Sequence, residues 1–137
     1  MIADRQMQSS VRAESDVASI VKRFDHPEKV LVLEKGRLEV ITVGGKTLGR
    51  GSYAPGWRWS HAPTAVARPG DRPPAHVGVV LSGRAKVVVD EGREVDLTPG
   101  DFFHIASEYD SWVVGYRTCE VLYVSGIEAL VHRMERK

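Results

Sequence analysis

Three segments between Gly56 and Trp112 decide the fold: Gly56-Trp57-Arg58-Trp59-Ser60-His61, His76-Val77-Gly78-Val79-Val80-Leu81-Ser82-Gly83 and Thr98-Pro99-Gly100-Asp101-Phe102-Phe103-His104. Each segment has the pattern of a strand with a turn at one end, and each carries a histidine. Glycine and proline mark the turns because they supply backbone conformations that other residues adopt poorly. Together the segments predict a fold and a pocket, but not a particular substrate.

Outward from these segments, apolar and polar residues alternate with the period of two that is typical of half-buried strands. Gly44-Gly45 predicts a tight hairpin, because two glycines tolerate positive φ angles. The pattern predicts strands over 30–33, 38–43, 47–50, 57–61, 76–81, 85–90, 95–97, 102–105, 112–116 and 118–124. So many short strands predict an all-β sandwich or barrel, and no long helical pattern between them supports a parallel sheet.

A different periodicity marks the two ends of the chain. Apolar residues at i, i+3, i+4 and i+7 predict an amphipathic helix over 16–24, and a second pattern predicts a short helix from Ile127 to Met134. The predicted organisation has three parts. Residues 1–27 form a polar N-terminal segment that contains the short helix, residues 28–125 form the barrel, and residues 126–137 form the C-terminal helix. Both apolar stripes need a surface to cover them, so we expect a homodimer.

The composition excludes several classes of protein. The 137 residues suit one domain, and a net charge of +1 without a basic cluster argues against nucleic-acid binding. No apolar run approaches the roughly 20 residues of a membrane helix, and the polar start lacks a signal-peptide core. The single cysteine, Cys119, excludes an internal disulfide and fits a reducing compartment. We therefore expect a cytoplasmic protein that does not bind membranes.

Two turns carry a resemblance to a known family. Val80-Leu81-Ser82-Gly83 and Leu97-Thr98-Pro99-Gly100-Asp101, about one strand pair apart, resemble the two motifs of the cupin superfamily, and the likeness covers residues 30–125. It implies an all-β, cupin-type double-stranded β-helix, or jelly-roll, barrel, here with short N- and C-terminal helices. Cupins are often dimeric, and their lumen commonly holds one divalent metal.

The resemblance also assigns ligand positions. Gly56 and His61 match the glycine and first histidine of the first motif, and His76 stands where the family usually has glutamate. Pro63 replaces the second histidine, and Ser111 replaces the histidine of the second motif. These replacements are clear departures from the family pattern.

The candidate metal ligands are His61, His76 and His104, with His104 in place of the missing second-motif histidine. Three converging imidazoles would hold one divalent transition metal, such as zinc, iron, nickel or manganese, and leave a position open for water. The alternative for each is a hydrogen-bonded, partly buried histidine. Strand parity decides whether His104 faces the lumen, and the sequence does not fix that parity.

The candidate substrate-binding residues surround the same pocket. Trp57, Trp59 and Trp112 would form an aromatic wall that stacks on a planar ligand, with core packing as the alternative. Glu108 and Tyr109 lie near the predicted rim, where a carboxylate would complete a metal shell or act as a base. The alternative there is a solvated loop.

Two functions follow from this set, each with a small-molecule ligand. The first is metal-dependent chemistry in the lumen, which the nitrogen donor of His76 favours. The second is metal-free binding or sensing without catalysis, which the replacement of a histidine by Ser111 favours. The sequence does not decide whether the protein is an enzyme, because one barrel supports many chemistries.

Overall fold

The computed structural model describes residues 20–59, 75–89, 92–106 and 110–135, with side chains as far as His132. This part of the chain forms nine strands and one longer helix, with these bounds: β1 Lys29–Leu33, β2 Gly36–Val43, β3 Lys46–Tyr53, β4 His76–Ser82, β5 Ala85–Val88, β6 Glu94–Leu97, β7 Phe102–Ile105, β8 Asp110–Val113, β9 Cys119–Ser125 and α1 Ile127–Glu135.

The strands make two antiparallel sheets that face each other. The larger sheet has the order β1-β2-β3-β9-β4-β7, and the smaller has the order β6-β5-β8. Their inner faces share one apolar core, in which Leu38, Val80 and Cys119 are almost completely buried. The predicted all-β barrel is confirmed, and His76 and Val80 both lie on its buried side.

The turn from Thr98 to Asp101 carries the chain from the small sheet to the large one. The Gly100 N–H donates to the Val80 carbonyl at 2.8 Å, and the Val80 N–H donates to the Asp101 carbonyl at 3.0 Å. The Asp101 carboxylate accepts from the Thr98 N–H at 2.8 Å and from its hydroxyl at 3.0 Å. The turn is therefore closed on itself and bonded to the middle of β4.

The Leu-Ser-Gly segment makes a second crossing, from β4 to β5. Gly83 has φ +76°, and a Cβ at this position would overlap the backbone of Thr118 and Cys119. Only glycine combines this backbone conformation with so close an approach. The close approach of the backbone at the start of β9 thus explains why glycine ends the Leu-Ser-Gly turn.

Three strand predictions need correction, and the first is the strand predicted over 112–116, which forms as β8 over Asp110–Val113. The Gly44-Gly45 hairpin forms, but β3 extends to Tyr53, beyond the predicted end at Arg50. The strand predicted over 57–61 does not form over 57–59, where Arg58 makes a single bridge to Trp112. The two indoles of this segment are nevertheless both buried.

The N-terminal helix also differs from its prediction. Ile20 is the last helical residue, Val21 to Phe24 do not continue the helix, and 16–19 lie outside the described residues. Phe24 instead packs its ring against the guanidinium of Arg50, 5.4 Å from the ring centroid. This tertiary contact fixes the chain in a turn and overrides the helical periodicity.

An ion cluster lies under that contact on the outer face of the large sheet. Glu39 is only 8% exposed and accepts from Arg50 Nε at 2.8 Å and from Arg37 Nε at 3.0 Å. Two guanidinium groups thus supply the hydrogen bonds that a buried carboxylate needs.

The C-terminal helix α1 packs against β3 and β9, and its first residue, Ile127, is completely buried. Within the described ranges, no helix has the length and apolar character needed to cross a membrane. The homodimer stays a prediction, because the structure contains one chain.

We expect Asp101→Ala to destabilise the barrel, because the Thr98 backbone N–H and the Thr98 hydroxyl both lose the Asp101 carboxylate as their acceptor. The expected cost is about 1 kcal/mol, since the turn is exposed and water replaces part of the loss. Urea unfolding of Asp101→Ala and Asp101→Asn measures it, and the asparagine keeps one acceptor oxygen and should recover most of the stability. An alanine variant as stable as the wild type would contradict this account of the turn.

Candidate functional site

A cavity of about 60 Å³ lies between the two sheets. Side chains from both sheets, the 57–59 segment and α1 form its wall: Tyr53, Trp57, Trp59, His76, Ala85, Val87, Leu97, Phe103, Ile105, Ser111, Val113, Cys119, Val121, Tyr123 and Leu130. Most of these side chains are apolar or aromatic. None of the described lining residues is Lys, Arg, Asp or Glu.

Two tyrosines hold the large sheet together on the cavity side. The hydroxyls of Tyr53 and Tyr123, from the neighbouring strands β3 and β9, form a buried hydrogen bond of 2.7 Å. The Trp57 ring packs on Tyr53 with 4.4 Å between the centroids and 38° between the planes. The polar ends of both tyrosines are thus used within an otherwise apolar wall.

The geometry of this pair depends on a residue without a side chain. Gly51 lies two residues before Tyr53 on β3, and a Cβ at Gly51 would overlap the Tyr53 ring and hydroxyl. The phenol therefore lies over Gly51 on its way to Tyr123. Any side chain at this position would displace the ring from the wall.

His76 is the one described histidine in the cavity wall, and it is 6% exposed. Its ring meets Phe103 edge-on at 5.9 Å and Tyr123 at 5.6 Å. Two aromatic edges thus fix the imidazole plane.

The structure does not bring His104 and His76 together, because they lie on opposite faces of the large sheet. β4 pairs with β7 so that His76 is opposite Ile105 and Gly78 is opposite Phe103. A Cβ at Gly78 would lie 2.8 Å from the Phe103 ring, so that ring takes the inner space which Gly78 leaves free. His104, between Phe103 and Ile105, consequently faces outward and is exposed.

The other predicted site residues divide into three groups. Trp57 and Trp59 line the cavity, as expected. Trp112 does not, because β8 turns Ser111 and Val113 inward, and the Trp112 ring packs 4.3 Å from the Arg58 guanidinium instead. The remaining predictions, His61, Glu108 and Tyr109, lie outside the described residues.

Sequence reasoning missed four polar or aromatic residues of the wall: Tyr53, Phe103, Ser111 and Tyr123. Ser111 had a usable signal, because it stands at the second-motif histidine position and alternates in phase with Val113. The tyrosine pair had none, because its partners are 70 positions apart in the sequence.

The donor set bears on metal binding. No group of three or more His, Cys, Asp or Glu side chains is placed to hold a metal ion within the ranges that the structure describes. The cavity wall there supplies one imidazole, His76, and one thiol, Cys119. Burial, followed by the nearby charge of Glu120, raises the pKa of the Cys119 thiol from 9.0 to about 11. The thiolate form that metals and electrophiles require is therefore scarce at neutral pH.

Similarity to known proteins is found at the level of structure. No protein-family model matches the chain, and no curated protein does. Ectoine synthase from P. lautus is similar with a TM-score of 0.56 and 14% identity over 85% of this chain and 86% of that one. The polyketide cyclase RemF from Streptomyces resistomycificus has a TM-score of 0.53 and 22% identity over 77% and 78%.

The Schizosaccharomyces pombe Cnp3 cupin domain is similar as well, with a TM-score of 0.50 and 11% identity over 77% of this chain and 72% of that one. At these identities the similarity establishes the fold. The chain has a cupin-type barrel, as the resemblance of its turns implied.

We expect Cys119 to react slowly with iodoacetamide at pH 8 in the folded protein. A pKa of about 11 instead of 9.0 lowers the thiolate fraction about a hundredfold relative to the unfolded chain. The raised pKa also affects the free energy of unfolding, because the folded protein holds the thiol proton more tightly than the unfolded chain does. This stabilisation is fully present below pH 9.0 and is lost as the pH rises towards 11.

Mass spectrometry of alkylated protein between pH 7 and 11 follows this reaction without ambiguity, because the chain has one cysteine. Cys119→Ser is the unlabelled control, and protein in urea gives the unfolded rate. Equal rates for folded and unfolded protein at pH 8 would show that the Cys119 thiol is not buried and that its pKa is not raised.

Proposed function

We propose that this cupin-type barrel binds a small, uncharged organic molecule with an aromatic or otherwise apolar body in its lumen. The observation that carries the proposal is the cavity wall, which is built largely from apolar and aromatic side chains of both sheets. Moving apolar ligand surface out of water contributes about 25 cal/mol for each Å² buried. Aromatic walls such as Trp57 and Tyr53 add stacking with a flat ligand.

The charge of the wall supports a neutral ligand. A charged group in the cavity would lose its hydration without meeting an opposite charge, because the described lining has no Lys, Arg, Asp or Glu.

The size of the cavity limits the ligand. The cavity of about 60 Å³ has room for a few waters. A compact molecule of about the size of one ring, or the end group of a larger molecule, would replace those waters. We therefore expect single-ring compounds to be better probes than extended ones.

Metal-assisted chemistry is the second candidate, and the burial of His76 in the wall favours it. An open catalytic site needs three protein ligands, and the described wall provides one imidazole and a thiol with a raised pKa. These residues alone do not fit a metal centre. A complete site would require His61, whose position the structure does not describe, together with a further donor.

We expect Val87→Phe to abolish binding of benzene, because the larger ring fills part of the cavity that Val87 lines. The loss should exceed about tenfold in affinity, and ligand-observed NMR titration measures it. Val88→Phe is the matched control, because Val88 neighbours Val87 on β5 but does not line the cavity. If wild-type protein binds no single-ring probe, or if both variants bind equally, the proposed site is wrong.

Val87→Ala gives an independent check, because overpacking by phenylalanine costs about 1–3 kcal/mol of stability. The alanine enlarges the cavity, so the preference should shift from benzene towards toluene or ethylbenzene. An unchanged preference would contradict the assignment of Val87 to the binding cavity.

For metal content, we expect purified wild-type protein to carry substoichiometric zinc, iron, nickel and manganese by elemental analysis. One equivalent of a metal that is lost in His76→Ala would instead establish the second candidate, because removing a ligand weakens a metal site strongly. His104→Ala is the control, because His104 faces outward and should change nothing.

A further inference from the structure

The large sheet ends in an apolar strand. Among the described strands β1 pairs with β2 alone, so its other side is a sheet edge. Its sequence, Lys-Val-Leu-Val-Leu, contains no charge after Lys29 and no proline, and its register with β2 has no bulge. Val32 is 75% exposed and Val30 is 36% exposed. Proteins usually protect an edge strand with charges, proline or a bulge, and β1 has none of these within its last four residues.

The other ends of the sheets differ from β1. β6 ends the small sheet, and its exposed residues Glu94 and Asp96 are carboxylates, which oppose pairing with another strand. β7 ends the large sheet on the opposite side and exposes Phe102 beside the polar His104. β1 is therefore the edge with the fewest barriers to pairing.

Both faces of β1 are apolar, which is typical of a strand inside a sheet. Leu31 faces the core, because it lies opposite the completely buried Leu38 of β2 and packs against the core cluster. It is nevertheless only half-buried. The core thus continues to the edge of the sheet and is open there. Val30 and Val32 form an apolar pair on the outer face of the same strand.

The backbone of β1 specifies what can cover this edge. Residues 34–35 form a two-residue turn, which makes Leu33 a hydrogen-bonded position of the hairpin. Hydrogen-bonded positions alternate along an antiparallel ladder, so Leu31 also bonds to β2, whereas Val30 and Val32 direct their N–H and C=O groups to the free edge. The backbone of another extended strand complements such a row of donors and acceptors.

We propose that this edge pairs with β1 of a second copy of the same chain, antiparallel about a two-fold axis at Leu31. In this register Leu31 lies opposite Leu31 of the second copy, and Val30 lies opposite Val32 of the second copy. Val30 and Val32 of each chain then exchange backbone hydrogen bonds. The two six-stranded sheets become one continuous sheet, and the two-fold symmetry closes the assembly at a dimer.

A second copy fits this edge because the pairing continues both apolar layers. On the inner face, the row formed by Leu38 and Leu31 continues into the same two leucines of the second copy, and on the outer face valine meets valine. A two-fold axis at Val32 would instead place Val30 opposite Glu34. The inference goes beyond the proposed function and gives the predicted homodimer an interface.

Sedimentation equilibrium at high micromolar concentration tests the assembly, and the wild type should have twice the chain mass of 15.2 kDa. Val32→Pro removes a backbone N–H from the free edge without touching the ladder to β2, so it should weaken the dimer by at least about tenfold. Phe102→Pro is the matched control, because Phe102 is equally exposed, at 75%, on the opposite edge strand β7. It should leave the dimer unchanged.

Leu31→Cys tests the register directly. The two Leu31 residues face each other as a non-hydrogen-bonded pair, in which Cα atoms lie about 4.5 Å apart, a distance that a disulfide spans. Mild oxidation should therefore link most of this variant into dimers on a non-reducing gel. Val32→Cys is the control, because Val32 is more exposed than Leu31 but lies opposite Val30 of the second copy. The native Cys119 is buried, and wild-type protein gives its background.

Each result supports or overturns the interface. A wild type that is monomeric at high micromolar concentration overturns it, as does a dimer that persists in Val32→Pro or dissociates in Phe102→Pro. Faster linking of Val32→Cys than of Leu31→Cys would show random collision of exposed thiols and would also overturn it. Circular dichroism checks that the variants fold, and if Val32→Pro does not, the comparison of the two cysteine variants decides the question.

Discussion

The two backbone hydrogen bonds between Val80 and the turn at Gly100 and Asp101 are the constraint on which the rest of the barrel depends. The turn leaves the small sheet and enters the large one, so its position sets how the two sheets face each other. Val80 lies in the middle of β4, between the lumen residues and the crossing at Gly83. Because each bond joins main-chain atoms, side-chain substitutions elsewhere leave the constraint intact, and the lining can vary around it.

The lumen shows how a largely apolar wall accommodates a few polar atoms. The hydroxyls of Tyr53 and Tyr123 form a hydrogen bond with each other, and His76 is fixed edge-on by Phe103 and Tyr123. Trp57 differs, because its backbone is bonded to both sheets while its indole donor has no partner among the described residues.

Much of the fold could be predicted from the sequence, because turns and alternation are local signals. The hairpin at Gly44-Gly45 and the turns ending at Gly83 and Asp101 belong to this class. The site was harder to predict, because it depends on which face of its strand each side chain occupies and on contacts between residues far apart in the sequence. Phe102 and Phe103 are adjacent aromatic residues, and the free space over Gly78 decides that Phe103 points inward. Because side chains alternate along a strand, His104 then points outward.

Tertiary contacts account for the other differences from the sequence predictions. The helical spacing that ends at Phe24 is genuine, but the packing of Phe24 on Arg50, above the buried Glu39, replaces the last helical turn. Trp112 likewise packs against Arg58 on the outside of the barrel. Neither arginine is close in sequence to the aromatic residue it contacts, so no local pattern could indicate the pairing.

Gly51 has a consequence for how such a lumen diverges during evolution. The residue does not line the cavity, yet the Tyr53 ring reaches Tyr123 only because nothing projects from this position. A heritable change at Gly51 would thus alter the shape of the pocket while every residue that touches a ligand stays the same. Specificity in this barrel can drift through positions that an inspection of ligand contacts would never identify.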